Sequence, residues 1–221
     1  MFDNIIPLLP EILLSIGQTF LMVGISISAA ILIGTPLGLF LFLSHKGGIQ
    51  ENKVFYHCLN YFVNLIRSFP FIILLVVLIP FTRMIVGTTV GPLAASVTLS
   101  VAAIPFFARL VEQSLKDLPS GTIEAARAMG ASRFLIIKDV LLNEARSGLV
   151  LGLTVTTISF LSYSAVAGIV GGGGIGDLAI RFGYYRFQTD IMIFMVIILI
   201  IIVQAIQFVG NRVATVMDKR S

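Results

Sequence analysis

Thirteen consecutive residues, Ile191 to Val203, carry no polar side chain. A run of that kind suits the bilayer, where a helix needs about 20 mostly apolar residues to cross the hydrocarbon. Inside lipid every backbone N–H and C=O must be satisfied by the protein itself, which leaves helices and closed barrels. The polar–apolar alternation of a barrel strand is missing from these segments. The chain therefore reads as an all-α integral membrane protein. Composition agrees, with 57% of its 221 residues hydrophobic and 12% charged, about half the charged share of a soluble domain.

Five transmembrane helices are predicted, at about 12–43, 61–81, 92–111, 148–170 and 190–209. Gly34-Thr35-Pro36-Leu37-Gly38 predicts a bend in the first, Pro70 and Pro80 predict kinks or ends in the second, and Pro105 predicts a break in the third, because proline frees a backbone carbonyl and clashes with the preceding turn. The whole of 1–221 is expected to be one transmembrane domain.

Lysine and arginine orient the spans. Lys46, Lys53, Arg67, Arg109, Lys116, Arg127, Arg133, Lys138, Arg146, Arg212, Lys219 and Arg220 fall on one side, against Arg83, Arg181 and Arg186 on the other. The first side is expected to be cytoplasmic, with the N-terminus outside and retained, since no basic residue precedes the first apolar segment. The net charge of +4 comes from residues flanking the oily segments and not from a basic patch with aromatics, so no nucleic-acid partner is expected. Five spans are few to enclose a gated path, and self-association with two-fold symmetry is expected.

Between Pro119 and Gly148 the chain turns polar and reads as two short helices on the cytoplasmic side. Thr122 is placed to cap the first, Ile123 to Met129, and Gly130 to end it in the left-handed conformation; Ser132 is placed to cap the second, Arg133 to about Leu142. Phe134, Ile137 and Leu141 recur at helical spacing and predict a face against the membrane bundle. Ala125, Ala126 and Ala128 make a thin rod with Glu124 and Arg127 at its edge, a knob for a soluble partner or an amphipathic connection and no more.

Gly171-Gly172-Gly173-Gly174-Ile175-Gly176 satisfies the dinucleotide pattern in form, but that site needs a strand before the glycines and a helix after them. No lysine and hydroxyl follow to make a phosphate-binding loop. Gly171, Gly173 and Gly176 are expected instead to form a close-packed, flexible turn at the outer mouth of a path, a candidate gate. Accumulating a solute a thousandfold costs about 4 kcal/mol, and this chain offers no nucleotide site and no mid-span carboxylate pair to supply it. Glu112 and Asp117 are expected on a solvated face, and no charged residue is expected at mid-bilayer. Thr157, Ser159, Ser162, Tyr163 and Ser164, in the most polar span, are the candidates for lining a translocation path, or they bond their own helix. His45 and His57 are too isolated for a metal site. Nothing predicts catalysis.

The motif Glu124-Ala125-Ala126, three residues, Gly130, then Val140-Leu141-Leu142 resembles the EAA loop of ABC importer permeases, with Asn143 where that pattern has proline. Asn64 to Leu75, Ile79 to Arg83, Ile85 to Thr88, Tyr163-Ser164-Ala165 with the glycines after it, and Ile206-Gln207-Phe208 resemble the methionine importer permeases in particular. The resemblance implies a homodimeric permease in the bacterial inner membrane and a coupling loop at about 119–147. Through Glu124, Ala125, Ala126, Arg127 and Gly130 that loop would dock on a cytosolic ATPase subunit, present in two copies. ATP and magnesium would be bound by that partner, substrate would arrive from an extracytoplasmic binding protein, and methionine would be the solute. The same architecture importing another small amino acid is the alternative, and a passive channel or scaffold a more distant one.

Overall fold

A computed structural model describes residues 5–218; Lys219 and Arg220, counted above among the basic residues, lie outside them. Ten helices are described: α1 (Ile5–Ser44), α2 (Lys53–Ser68), α3 (Phe71–Val77), α4 (Ile79–Val86), α5 (Pro92–Lys116), α6 (Ser120–Ala128), α7 (133–144), α8 (Arg146–Gly172), α9 (174–184) and α10 (Thr189–Met217). Among the described residues α1, α5, α8 and α10 are long and apolar enough to cross a membrane singly.

The fifth candidate span is broken. Between α2 and α3 the axis turns by 101°, and the cause is local. Pro70 disfavours helical backbone at the residue before it, and Phe69 accordingly sits at φ −75°, ψ 131°. The expected single element at 61–81 is thus three short helices, with Pro80 in the first turn of α4, a position where its missing N–H costs nothing.

α5 is the hub. It packs against α1, α2 and α8 and, at its first half, against α3 and α4. The break expected at Pro105 does not occur: α5 runs unbroken through it, because helices packed along it hold the backbone where one hydrogen bond is lost. Where a bend was expected, α1 carries a π-helical turn at Ala30–Gly34, and Gly34 and Gly38 allow close approach. A Cβ on Gly34 would sit 2.8 Å from the Ile104 carbonyl oxygen, and one on Gly38 would strike the Ala108 carbonyl and lie 2.6 Å from Val111 Cβ. Small residues at a membrane helix crossing let backbones meet, which is where packing energy in lipid comes from.

α10 lies at the side of the bundle against α8 and α9, with only 11% of its most apolar window buried. The rest of that surface is Ile, Val and Phe, the face a lipid-exposed helix needs. At one end the α10 terminus is tied to the start of α8: Arg146 Nε donates to the Met217 carbonyl at 2.8 Å and Ser147 Oγ to Ala214 at 3.0 Å. That end also gathers Lys116, Arg127 and the 45–52 loop and is called the basic end below; the opposite end holds the glycine turn.

Candidate functional site

At the basic end α6 and α7 form an island beside the bundle. α6 begins at Ser120 with Pro119 as its flanking residue, so Thr122 lies inside the helix and does not cap it. Gly130 follows the helix at φ +75°, the left-handed region open to glycine. Ser132 caps α7, its hydroxyl accepting from Leu135 N at 3.3 Å. The expected inward face holds at Leu141, which is buried, and at Ile137, which packs on the core, but a π-helical stretch at Ile136–Leu141 also turns Ile136 inward while Phe134 is 73% exposed.

The same accounting splits the five proposed coupling residues. Glu124, Ala125, Arg127 and Gly130 are exposed, but Ala126 is 4% exposed and joins the core with Leu115, Leu118 and Ile136. Ala126 is therefore a packing residue that seats α6 against α7 and the core beneath it, with its side chain closed to a partner. Met129 and Phe134 are the exposed apolar groups of the island. Sequence reasoning passed over them as contact residues. Between α6 and the 45–52 loop lies a groove of about 240 Å³, edged by His45, Gly48, Lys116, Glu124 and Arg127.

Glu112, expected on a solvated face, is 1% exposed. Its two carboxylate oxygens accept from Arg109 Nη1 at 2.5 Å and Lys116 Nζ at 2.7 Å, and Arg109 Nη2 donates to Asn60 at 2.7 Å and Asn64 at 2.8 Å on α2. Arg109 is a residue of α5 itself and not of the following loop. Burying a charge is costly unless it is paired and hydrogen-bonded, and here every lone charge finds a partner. The network ties α2 to α5 within reach of the island. Its signal was in the sequence as Arg-x-x-Glu-x-x-x-Lys, a spacing that stacks three side chains on one helical face.

Farther inside the bundle, α2, α3, α5 and α8 enclose a cavity of about 150 Å³. Phe71 stacks on Tyr163 with ring centroids 4.7 Å apart, Phe160 meets Tyr163 edge-on at 5.2 Å, and Phe106 meets Phe160 at 5.8 Å. Arg67 stands at its rim, its guanidinium carbon 6.0 Å from the Phe106 ring centre. Arg67 thus stands beside this cavity, one helical turn beyond the Asn64 that bonds Arg109. Arg67 was grouped with the basic end because it is near α2's terminus in sequence, but α2 enters from that end and carries Arg67 inward.

Of the other path candidates, Tyr163 lines this cavity. Thr157, Ser162 and Ser164 donate to carbonyls of their own helix at 2.8, 3.3 and 2.7 Å. Ser164 is buried, while Thr157 and Ser159 are half-buried and Ser162 is exposed. Intrahelical bonding of Ser and Thr hydroxyls explains how so many fit one span.

The glycine turn is close-packed, as expected, and is held by hydrogen bonds from outside it. Gly174 N–H donates to Gln18 Oε1 at 2.8 Å, Ile175 N–H to Thr19 Oγ1 at 2.9 Å, and Gly91 N–H to the Gly171 carbonyl at 2.8 Å. Gly173 and Gly174 adopt φ +75° and +84°, which only glycine does freely. A Cβ on Gly176 would enter the Ala165 backbone. Since α1 side chains already take the N–H groups a phosphate would need, these glycines do not fit a nucleotide.

The chain matches the model of the binding-protein-dependent transport system inner membrane components over residues 34–221. It belongs to that family. This permease is 45% identical over 203 residues to a probable D-methionine transport system permease protein of Vibrio cholerae, covering 92% of this chain and 90% of the relative. It is 41% identical over 180 residues to the methionine import system permease protein of Bacillus subtilis, covering 81% of each. In three dimensions it superposes on a chain of an inward-facing methionine ABC transporter with a TM-score of 0.94 at 42% identity, over 96% of this chain and 99% of that one. An amino acid ABC transporter shares the fold at a TM-score of 0.79 and 16% identity.

Proposed function

We propose that this permease is the membrane subunit of an ATP-driven methionine importer, working as a homodimer with two cytosolic ATP-binding subunits. The observation that carries the reading is likeness along nearly the whole chain to methionine permeases, in sequence and in fold. The basic end faces the cytoplasm of a bacterial inner membrane, with the N-terminus outside. The island there docks on the ATPase through Glu124, Ala125, Arg127 and the apolar tips Met129 and Phe134. Gly130 sets the angle between the two island helices, and Ala126 anchors them. Nucleotide and magnesium belong to the ATPase, and substrate arrives from a binding protein outside. Because α6 packs on α7 and shares a core cluster with Leu115 of α5, a pull on the island is passed through that core toward the hub helix and, through the Glu112 network, to α2. The glycine turn, held by Gln18 and Thr19, serves as a fixed joint about which the outer ends of α1, α5 and α8 move together.

The test is uptake. The permease, its ATPase and its binding protein, reconstituted in proteoliposomes with ATP inside, are expected to concentrate labelled methionine above the outside level. D- and L-forms are compared directly, with other amino acids as competitors. Uptake of a different amino acid alone would contradict the solute, and equilibration without ATP would contradict the coupling.

A further inference from the structure

We infer that Arg67 and the ring-lined cavity beside it form a substrate subsite within a single permease chain, taking an amino acid by its carboxylate and seating an apolar side chain among the aromatics. The inference rests on the transport reading above and adds to it where the solute pauses and which atoms hold it.

Depth gives the first argument. Phe106, the ring under Arg67, lies ten residues from Lys116 and fourteen from Pro92 along α5, about 15 and 21 Å at the helical rise of about 1.5 Å per residue. Both distances are shorter than a hydrocarbon layer of about 30 Å, and Phe106 stands one turn inward of Arg109 on the same helix. A cation so placed is costly and marks a substrate pathway by default.

Pairing gives the second. Arg109 is held by Glu112, Asn60 and Asn64, the expected state of a structural arginine. Arg67 has no carboxylate or hydrogen-bond partner among the described residues, only the face of Phe106. Its guanidinium is exposed at the cavity rim, a two-pronged donor with nothing to bind.

The chemistry of the lining gives the third. A carboxylate matches the guanidinium fork with two parallel hydrogen bonds. An ammonium group is drawn to ring faces, and five aromatic residues line the space, Phe69, Phe71, Phe106, Phe160 and Tyr163. A thioether or aliphatic chain packs well against ring edges. The volume, about 150 Å³, is many times the about 10–15 Å³ of such space that one water needs, so a small solute group can enter.

The experiment measures equilibrium binding of tritiated L-methionine to the purified permease–ATPase complex without binding protein, with competitors. Norleucine keeps the carboxylate and loses the sulfur; methionine amide keeps the sulfur and loses the carboxylate. Methionine amide is expected to compete at least about tenfold less well than norleucine. Arg67→Gln should weaken methionine binding at least about tenfold, Arg67→Lys should retain part of it, and Arg83→Gln should bind as the unaltered protein does. Binding by Arg67→Gln within twofold of the unaltered complex would overturn the subsite. So would equal competition by the two analogues, which needs no variant and decides the matter if Arg67→Gln does not assemble. A complex that transports methionine without saturable binding would also overturn it. If the importer carries another amino acid, the transport reading falls on its own, and the acid and amide of that solute decide the subsite.

Discussion

Glu112 accepts from Arg109 and Lys116 and is shut off from solvent. Removing its charge leaves Arg109 facing only two amides. Glu112→Gln is therefore expected to cost about 3 kcal/mol, the lower end of the range for breaking a buried pair, because Arg109 and Lys116 keep some exposure. Thermal unfolding of the purified complex checks this, and a melting temperature unchanged within error would count against it. The three-residue and four-residue spacings of this network stand in the sequence, as does the left-handed glycine at 130. Whether that charged face turned outward or inward depended on Asn60 and Asn64, more than forty residues upstream, and a solvated face was the wrong expectation. Ala126 teaches the same lesson in reverse. Its place in the motif was legible, but its burial against Leu115, Leu118 and Ile136 was decided by tertiary packing, so Ala126→Arg would report on folding and not on docking. Ala125→Arg, on the exposed face, is the informative change. It should leave assembly of the bundle intact and abolish most ATP-driven uptake, measured beside the melting temperature.

Among the elements, the long spans were visible because about 20 apolar residues in a row admit few other structures. Their irregularities were not. Proline marks a place where a helix is weakened, and neighbours decide the result: Pro70 breaks its span by 101°, while Pro105 passes through the middle of α5 without breaking it. The π-helical turns at Ala30–Gly34 and Ile136–Leu141 have no sequence mark comparable to proline, and the second one placed Ile136 where Phe134 was expected. Gly34 and Gly38, read as a bend, are also a crossing. Gly38→Leu should force α1 off α5 and cost about 1–3 kcal/mol, as overpacking does, or prevent insertion altogether. Thermal unfolding and membrane yield measure it, and a normal protein on both counts would mean that the crossing can open.

At the scale of the whole molecule, the chain is a fixed frame with a projecting handle. The frame is α5 with α1 and α8 locked on it and the glycine turn pinned by α1; the handle is the island, whose tips Met129 and Phe134 are exposed. Membrane class and helical architecture followed from the sequence by composition and run length alone. The aromatic cavity did not, since Phe71, Phe106, Phe160 and Tyr163 are scattered over some ninety positions and only the bend after Ser68 brings α3 against α8. The central claim is mechanical, that force enters through the island from a separate ATP-hydrolysing protein. The most direct measurement places a single cysteine at Ala125, in a background where the exposed native Cys58 is serine, and applies a short thiol cross-linker to membranes holding the ATPase subunit with cysteines along its membrane-facing cleft. A cross-linked product of permease and ATPase, its yield altered by ATP and restored on hydrolysis, is the predicted result. No such product at any cleft position, in membranes where ATP-driven uptake persists, would contradict the account.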